Sequence, residues 1–308
     1  MKAKNNRTIT LNDAEKLQYD KELIHINKNI TPKEIENKII QQDLFTLFDY
    51  LPENFVDLLF IDPPYNLSKN YNGNKFHKMS DPGYRKWVER WLKPLKKILK
   101  PDASIYICGV WKTSAILQEV CDDNFDLLNR ITVAREKGRG SEKSWKNNSE
   151  DIWYCAMDKR NYYFNPKAVK IKKRVIAPYR ENGKPKDWNA EGKRNYRLTY
   201  SSNIWTDITL PFWSTPENTP HPTQKSEKLL AKIILASSKE GDVIFDPFAG
   251  VCSTGVVAKK LNRKFVMVEN DPEYCLYGIK RLHLADNDKS IQGYEGGVFW
   301  ERNPKVKI

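Results

Sequence analysis

Four apolar runs set the limits on what this chain can fold into. "FVDLLFID" (55–62), "ASIYICGV" (103–110), "DVIFDPFAG" (242–250) and "KFVMVEND" (264–271) are nearly continuous in apolar residues, not alternating. Strands of that kind are buried on both faces. Between and after them stand helical stretches: "WKTSAILQEVCDD", "SEKLLAKIILASSKE" with Ser226 as cap, "TGVVAKKLN", and "PEYCLYGIKRLHLA" starting at Pro272. A further helix is expected from Tyr84 to Lys100, broken or kinked at Pro94. "NKIIQQD", "LLNRITVA" and "DIWYCAMD" complete the strand set. Strands alternating with helices predict an α/β fold: a doubly wound, largely parallel sheet covered on both faces.

The alternation stops at residue 158 and resumes after Pro222. The expected organisation is therefore a core of residues 37–157 and 216–285, interrupted by an insert over 158–215. Residues 1–36 are expected as a polar peripheral segment, with a short helix capped by Thr31 and opened by Pro32. Residues 286–308 are expected as a tail.

The insert is rich in Lys and Arg. Lys167, Lys170, Lys172, Lys173, Arg174, Arg180, Lys184, Lys186, Lys193, Arg194 and Arg197 are interleaved with Tyr162, Tyr163, Tyr179, Trp188 and Tyr196. The whole chain of 308 residues carries a formal charge of +13. So large a basic surplus predicts a polyanionic partner, and basic residues mixed with aromatics suit a phosphate track. A solvated loop is the plainer alternative. Arg135, Lys137 and Arg139 add to the same DNA-binding set. Five widely spaced cysteines with no C-x-x-C pair argue against a zinc site and a disulfide framework, and no metal is expected. No signal peptide or membrane span is seen, so an intracellular, cytoplasmic protein without a membrane partner is expected.

Two strand ends carry chemistry. "DPFAGVCSTG" (246–255) passes from a strand through a small-residue turn into a helix, which presents backbone N–H groups to a ligand. A tight turn needing small residues gives the same pattern. The next strand, however, ends in Glu269-Asn270-Asp271, and an acid at that tip suits ribose hydroxyls. "DPPY" (62–65) sets Asp62 before two prolines and Tyr65. The prolines fix the backbone and leave carbonyl acceptors. Two acceptors beside a flat ring suit a planar heterocycle with an exocyclic amino group. The full G-x-G-x-x-G is absent, which argues against a nicotinamide-dependent dehydrogenase.

"DPPY", "HPTQK" (221–225) and "DPFAG", in that order, resemble the beta class of S-adenosylmethionine-dependent DNA amino-methyltransferases. The motif order is circularly permuted: catalytic motif, recognition region, cofactor loop. The resemblance spans residues 37–285. "REKGRGSEKSWKNNSEDIWY" (135–154) and "NIWTDITLPFWSTPENTPHPTQK" (203–225) further resemble members from restriction–modification systems. The resemblance implies a Rossmann-like methyltransferase sheet whose insert is the target-recognition region.

It also implies roles. Asp62, Pro63, Pro64 and Tyr65 form the catalytic pocket. Asp43, Asp62, His221, Thr223, Lys225, Phe248, Ala249, Gly250, Cys252, Ser253, Thr254, Glu269 and Asn270 hold S-adenosylmethionine, with S-adenosylhomocysteine as product. For His221 a loop histidine that orders the turn stands beside the cofactor role. The expected reaction is methylation of the N6 amino group of an adenine flipped out of double-stranded DNA. A cognate restriction endonuclease and a homodimer are compatible partners. The alternatives are cytosine-N4 methylation, whose motif more often begins with Ser, and a non-catalytic nucleic-acid-binding regulator. Three departures stand out: Val251-Cys252 replaces Ser-Gly after Gly250, Ser226 replaces Pro, and Val133 or Ala134 replaces a Trp.

Overall fold

The structure is a computed structural model that describes residues 5–135, 142–175, 179–191 and 194–301. The elements begin with α1 (Asp13–Asp20), α2 (Pro32–Ile35), β1 (Lys38–Gln41) and β2 (Val56–Ile61), followed by the hairpin β3 (Lys69–Tyr71) and β4 (Asn74–Phe76). Next come α3 (Asp81–Lys96), β5 (Leu99–Gly109), α4 (Ser114–Asn124), β6 (Asp126–Ala134) and β7 (Ser149–Ala156). The insert adds β8 (Ile171–Arg174), β9 (Arg180–Glu181), β10 (Lys184–Pro185), β11 (Asn189–Glu191), β12 (Arg194–Thr199) and β13 (Ile204–Trp205). The rhythm returns with α5 (Glu227–Ser237), β14 (Val243–Asp246), α6 (Ser253–Lys260), β15 (Lys264–Glu269) and α7 (Pro272–Asn287), then the hairpin β16 (Tyr294–Glu295) and β17 (Val298–Trp300).

Eight strands form one sheet in the order β1-β15-β14-β2-β5-β7-β6-β13. Every pairing is parallel except the two made by β7, which runs opposite to β5 and β6. The apolar runs are continuous because both faces are covered. On β2, Leu58 and Phe60 face a cluster with Leu230, Ile234, Val257 and Ile279 of α5, α6 and α7. Leu59 and Ile61 face Val88, Trp91, Leu117 and Val120 of α3 and α4. From β2 the chain moves one way along the sheet to β5; from β14 it moves the other way to β15. The crevice between β2 and β14 is thus a topological switch point, where α/β sheets place ligands.

Several local expectations change. Pro94 lies inside α3 and the helix ends at Lys96, not Lys100, because Leu99 is drawn into β5 against Val56. Ser226 precedes α5 without a side-chain cap bond; the Glu227 N–H donates to buried Glu217 Oε2 instead, at 2.8 Å. The N-terminal segment is fastened down: Ile9 N–H donates to the Asn218 carbonyl, Lys280 pairs with Glu15, and Tyr19 packs edge-on against His283.

The insert builds a second sheet, β11-β12-β8-β17-β16. Its last two strands come from residues 294–300, within the stretch expected to be a tail. Phe299, fully buried, pairs with Ile171, and that apolar contact holds the hairpin in place. The insert is also pinned to α5, since the buried carboxylate of Asp207 meets Lys228 at 2.9 Å and Lys232 at 3.0 Å.

Candidate active site

The register of β2 and β14, Phe245 beside Leu59, brings the ends of the two strands side by side. Asp62 leaves the first and the turn 246–252 leaves the second. Two side chains converge on Asp62 Oδ1. The Tyr65 hydroxyl donates to it at 2.5 Å, and the Lys225 ammonium lies 3.1 Å away. The same ammonium donates to the Tyr65 hydroxyl at 2.7 Å and to Glu150 Oε2 at 3.1 Å. Among the described residues Asp62 Oδ2 has no hydrogen-bond partner. The Pro64 carbonyl accepts from the Tyr84 hydroxyl at 2.8 Å, which leaves the Pro63 carbonyl as the motif's other acceptor. Burial raises the Asp62 carboxyl above the usual carboxylate range, against the pull of Lys225. Burial alone would depress the Lys225 ammonium, but the carboxylates of Asp62 and Glu150 outweigh it and hold the lysine charged.

The turn after β14 is braced from several sides. Asp246 accepts from the Phe248 N–H at 3.0 Å and from the Thr254 hydroxyl at 2.6 Å; burial pushes its carboxyl up to about 7. Gly250 has φ +52°, and a Cβ there would lie 3.0 Å from His221 Nε2. The His221 ring caps the glycine and packs edge-on against Tyr274, 4.5 Å between centroids. Burial lowers this imidazole to about 4, so it is neutral. Glu269, at the tip of β15, accepts from the N–H groups of Gly250 and Asp271, both at 2.8 Å. A narrow cavity of about 30 Å³ lies between Phe60, Asp62, His221, Lys225, Asp246 and residues 248–251. The β3–β4 hairpin is fastened beside it: Asn72 donates to Asp271 and Glu273, and Tyr71 packs with Val251, Tyr274 and Tyr277.

The other expected residues fall as follows. Thr223, Ser253 and Thr254 line the same cavity. Asp43 sits at the tip of β1, exposed, and accepts from the Phe45 N–H. Asn270 is exposed and its carbonyl accepts from Gln41. Cys252 does not line the cavity: at φ +60° its side chain turns inward, where it would meet a Cβ added to Gly255 or Gly278. It packs α6 against α7. Lys225 reaches the carboxylates of Asp62 and Glu150, not only the turn.

The expected DNA-binding residues divide. Lys170 lies over the Tyr200 ring, Lys172 over Tyr196 and Trp300, and Arg180 over Trp188. Lys173 and Arg174 share β8 with Lys172, and Arg197 pairs with Asp187. Arg135 stands apart from them, 3.7 Å from Glu150 at the catalytic edge. Lys137, Arg139 and Lys193 lie outside the described residues; Arg194 is placed only as the first residue of β12.

The DNA methylase family model of N6 and N4 methyltransferases matches residues 56–280, from the start of β2 into α7. This chain belongs to that family. The DNA methylase is 32% identical to the DNA adenine methyltransferase YhdJ of Escherichia coli K12, over 81% of this chain and 83% of that protein. It is 29% identical to the type II methyltransferase M.BamHI of Bacillus amyloliquefaciens, over 97% of this chain and 67% of the relative. In fold it resembles the PvuII cytosine-N4-specific DNA methyltransferase, with a TM-score of 0.60 at 18% identity, over 79% of this chain and 85% of that one.

Two residues of the methylase site escaped the sequence reading. Glu150 opens an apolar strand, where a carboxylate looks like an exposed strand end; only the reversed direction of β7 brings it to the catalytic edge. Arg281 is a buried residue of α7 that donates to the Val251 carbonyl, Ser253 Oγ and Glu227 Oε1. Nothing in its helical pattern sets it apart.

Proposed function

We propose that this DNA methylase transfers a methyl group from S-adenosylmethionine to the N6 amino group of an adenine rotated out of double-stranded DNA. The carrying observation is the state of Asp62: one oxygen is held by Tyr65 and Lys225, the other has no partner among the described residues, and the residue lines the cavity beside the turn after β14. The likeness to YhdJ supports adenine as the base, and that to M.BamHI supports a place in a type II restriction–modification system.

The turn suits the cofactor. Gly250 gives close access under a neutral imidazole, Glu269 offers an acid at the neighbouring strand tip, and Asp43 offers a second one strand further out. On this reading Phe248 to Gly250, Thr223, Ser253 and Thr254 border the methionine end, Glu269 and Asn270 the ribose, and Asp43 the adenine. Bound there, S-adenosylmethionine supplies an electrophilic methyl on its sulfonium. Asp62 Oδ2 and the Pro63 carbonyl each accept one N–H of the target amino group. That draws the nitrogen toward a tetrahedral form and concentrates its lone pair for attack. Fixed geometry turns the encounter into a near-unimolecular step. Acceptors preplaced for charge developing on nitrogen add the electrostatic contribution. Asp62 Oδ2 takes the proton that the nitrogen releases. Tyr65 supplies a stacking face for the base. The basic strands β8 and β12, with Arg135, form the DNA face.

The test is nucleoside analysis of DNA incubated with the protein and labelled S-adenosylmethionine. N6-methyladenine is expected. N4-methylcytosine would overturn the choice of base, and label-free DNA despite calorimetric cofactor binding would overturn the activity. Asp62→Ala should lose methyl transfer by roughly 10²-fold or more while still binding cofactor.

A further inference from the structure

The reversed strand β7 has a consequence at the active site. In a fully parallel sheet every strand delivers its C-terminal end to the ligand-binding edge. β7 delivers its beginning, with Glu150 beside Val133 and Asp151 beside Gly109. Glu150 is 2% exposed. A carboxylate so deep in the protein persists only with partners.

Its partners are those of the reacting group. A lysine ammonium has three N–H donors. In Lys225 all three are matched: Tyr65 at 2.7 Å, Asp62 Oδ1 at 3.1 Å and Glu150 Oε2 at 3.1 Å. The ammonium thus hangs at equal distance between the buried carboxylate of Glu150 and the partly buried one of Asp62. Arg135, 3.7 Å from Glu150, approaches the pair from the rim. Glu150 Oε1 is buried and has no partner among the described residues. Glu150 therefore has acceptor capacity in reserve, and it competes with Asp62 for one cation.

Resting on the methyl-transfer reading above, we propose that Glu150 is a positioning residue. It holds the Lys225 ammonium off centre from Asp62, so that Asp62 keeps Oδ1 anchored, turns Oδ2 to the substrate amino group and remains a strong acceptor. Without Glu150 the ammonium is drawn wholly onto Asp62, which blunts it as an acceptor and closes the pocket. Glu150 touches neither substrate nor cofactor in this scheme; it acts through Lys225.

The experiment compares single-turnover methylation by the wild-type chain, Glu150→Gln, Lys225→Met and the double variant. The groups that face Asp62 are Lys225, Glu150, Tyr65, Cys108 and Asp246, with Lys69 and Tyr71 on the β3–β4 hairpin and Tyr84 on α3. Only Glu150 and Lys225 change in the series. Glu150→Gln should lower the methyl-transfer rate roughly 10–100-fold, leave the KM values for cofactor and DNA within about threefold, and move the acid limb of the pH profile to lower pH. In the Lys225→Met background the same change should have no further effect. Because removing both buried charges together avoids a lone ion, the double variant guards against misfolding. If Glu150→Gln does not fold, Glu150→Asp takes its place in the cycle. An unmoved acid limb at wild-type rate, or effects that add, would overturn the proposal. Failure of the wild-type chain to methylate an adenine amino group would instead overturn the reading on which it rests.

Discussion

Gly250 shows how narrow the tolerances of the cofactor turn are. Its φ of +52° is costly for a residue with a Cβ, and that Cβ would press on the His221 ring. Gly250→Ala should weaken cofactor binding by tenfold or more (about 1.4 kcal/mol), measured by calorimetry, with a smaller loss in melting temperature. His221 itself yields a pH prediction. Its folded value of about 4 lies below its ordinary 6.5, so the unfolded chain takes up a proton that the folded chain refuses. Stability from this residue is complete above pH 6.5 and is lost as pH falls toward 4. Asp246, pushed up to about 7, works the other way: its neutral form favours the fold at low pH. Denaturant titrations of wild type and His221→Asn across pH 4–6.5 isolate the histidine. The wild type should lose stability relative to the variant as pH falls, and parallel curves would contradict the assignment.

Among the elements, α5 joins the two halves of the molecule. Its Lys228 and Lys232 are nearly sealed from solvent, and both rest on Asp207. Lys228 also donates to the Trp300 carbonyl at 2.6 Å, tying in β17. Asp207→Asn leaves two buried ammonium groups short of a counter-charge and should cost ~3 kcal/mol in urea unfolding. This element also marks where sequence pattern stops being informative. The βα alternation exposes the core strands and helices because a strand buried on both faces must be apolar throughout. The lysines of α5 have the spelling of a solvated helix face, and only the fold reveals that they are buried. The DPPY and DPFAG turns are legible as local motifs. Glu150 and Arg281 are not, and Lys225 is legible only as part of HPTQK, since the contacts of all three depend on which strand reverses and on residues far apart in the chain. The same holds for Cys252, expected at the cofactor by its place in the motif but turned inward by its left-handed backbone.

At the scale of the whole molecule, a net charge of +13 is set against a polyanion. Basic residues of the insert are organised over aromatic rings: Lys172 on the second sheet, Lys170 just before it and Arg180 on the β9–β10 hairpin. DNA affinity should fall steeply with salt, and a plot of log affinity against log salt should have a slope of several units. Lys173→Ala on β8 should reduce that slope by about one without changing the methylated site. A flat plot would remove the second sheet from the DNA face.

The pairing of β17 with β8 also bears on how the molecule is made. β8 leaves the ribosome before its partner on one side, residues 298–300. Until then a basic strand has an open edge, ready to pair with whatever comes near. The catalytic and cofactor strands are complete before that edge is closed. A nascent chain can therefore gather its chemistry before it finishes the surface that would read DNA, and the closing hairpin is the step that couples the two.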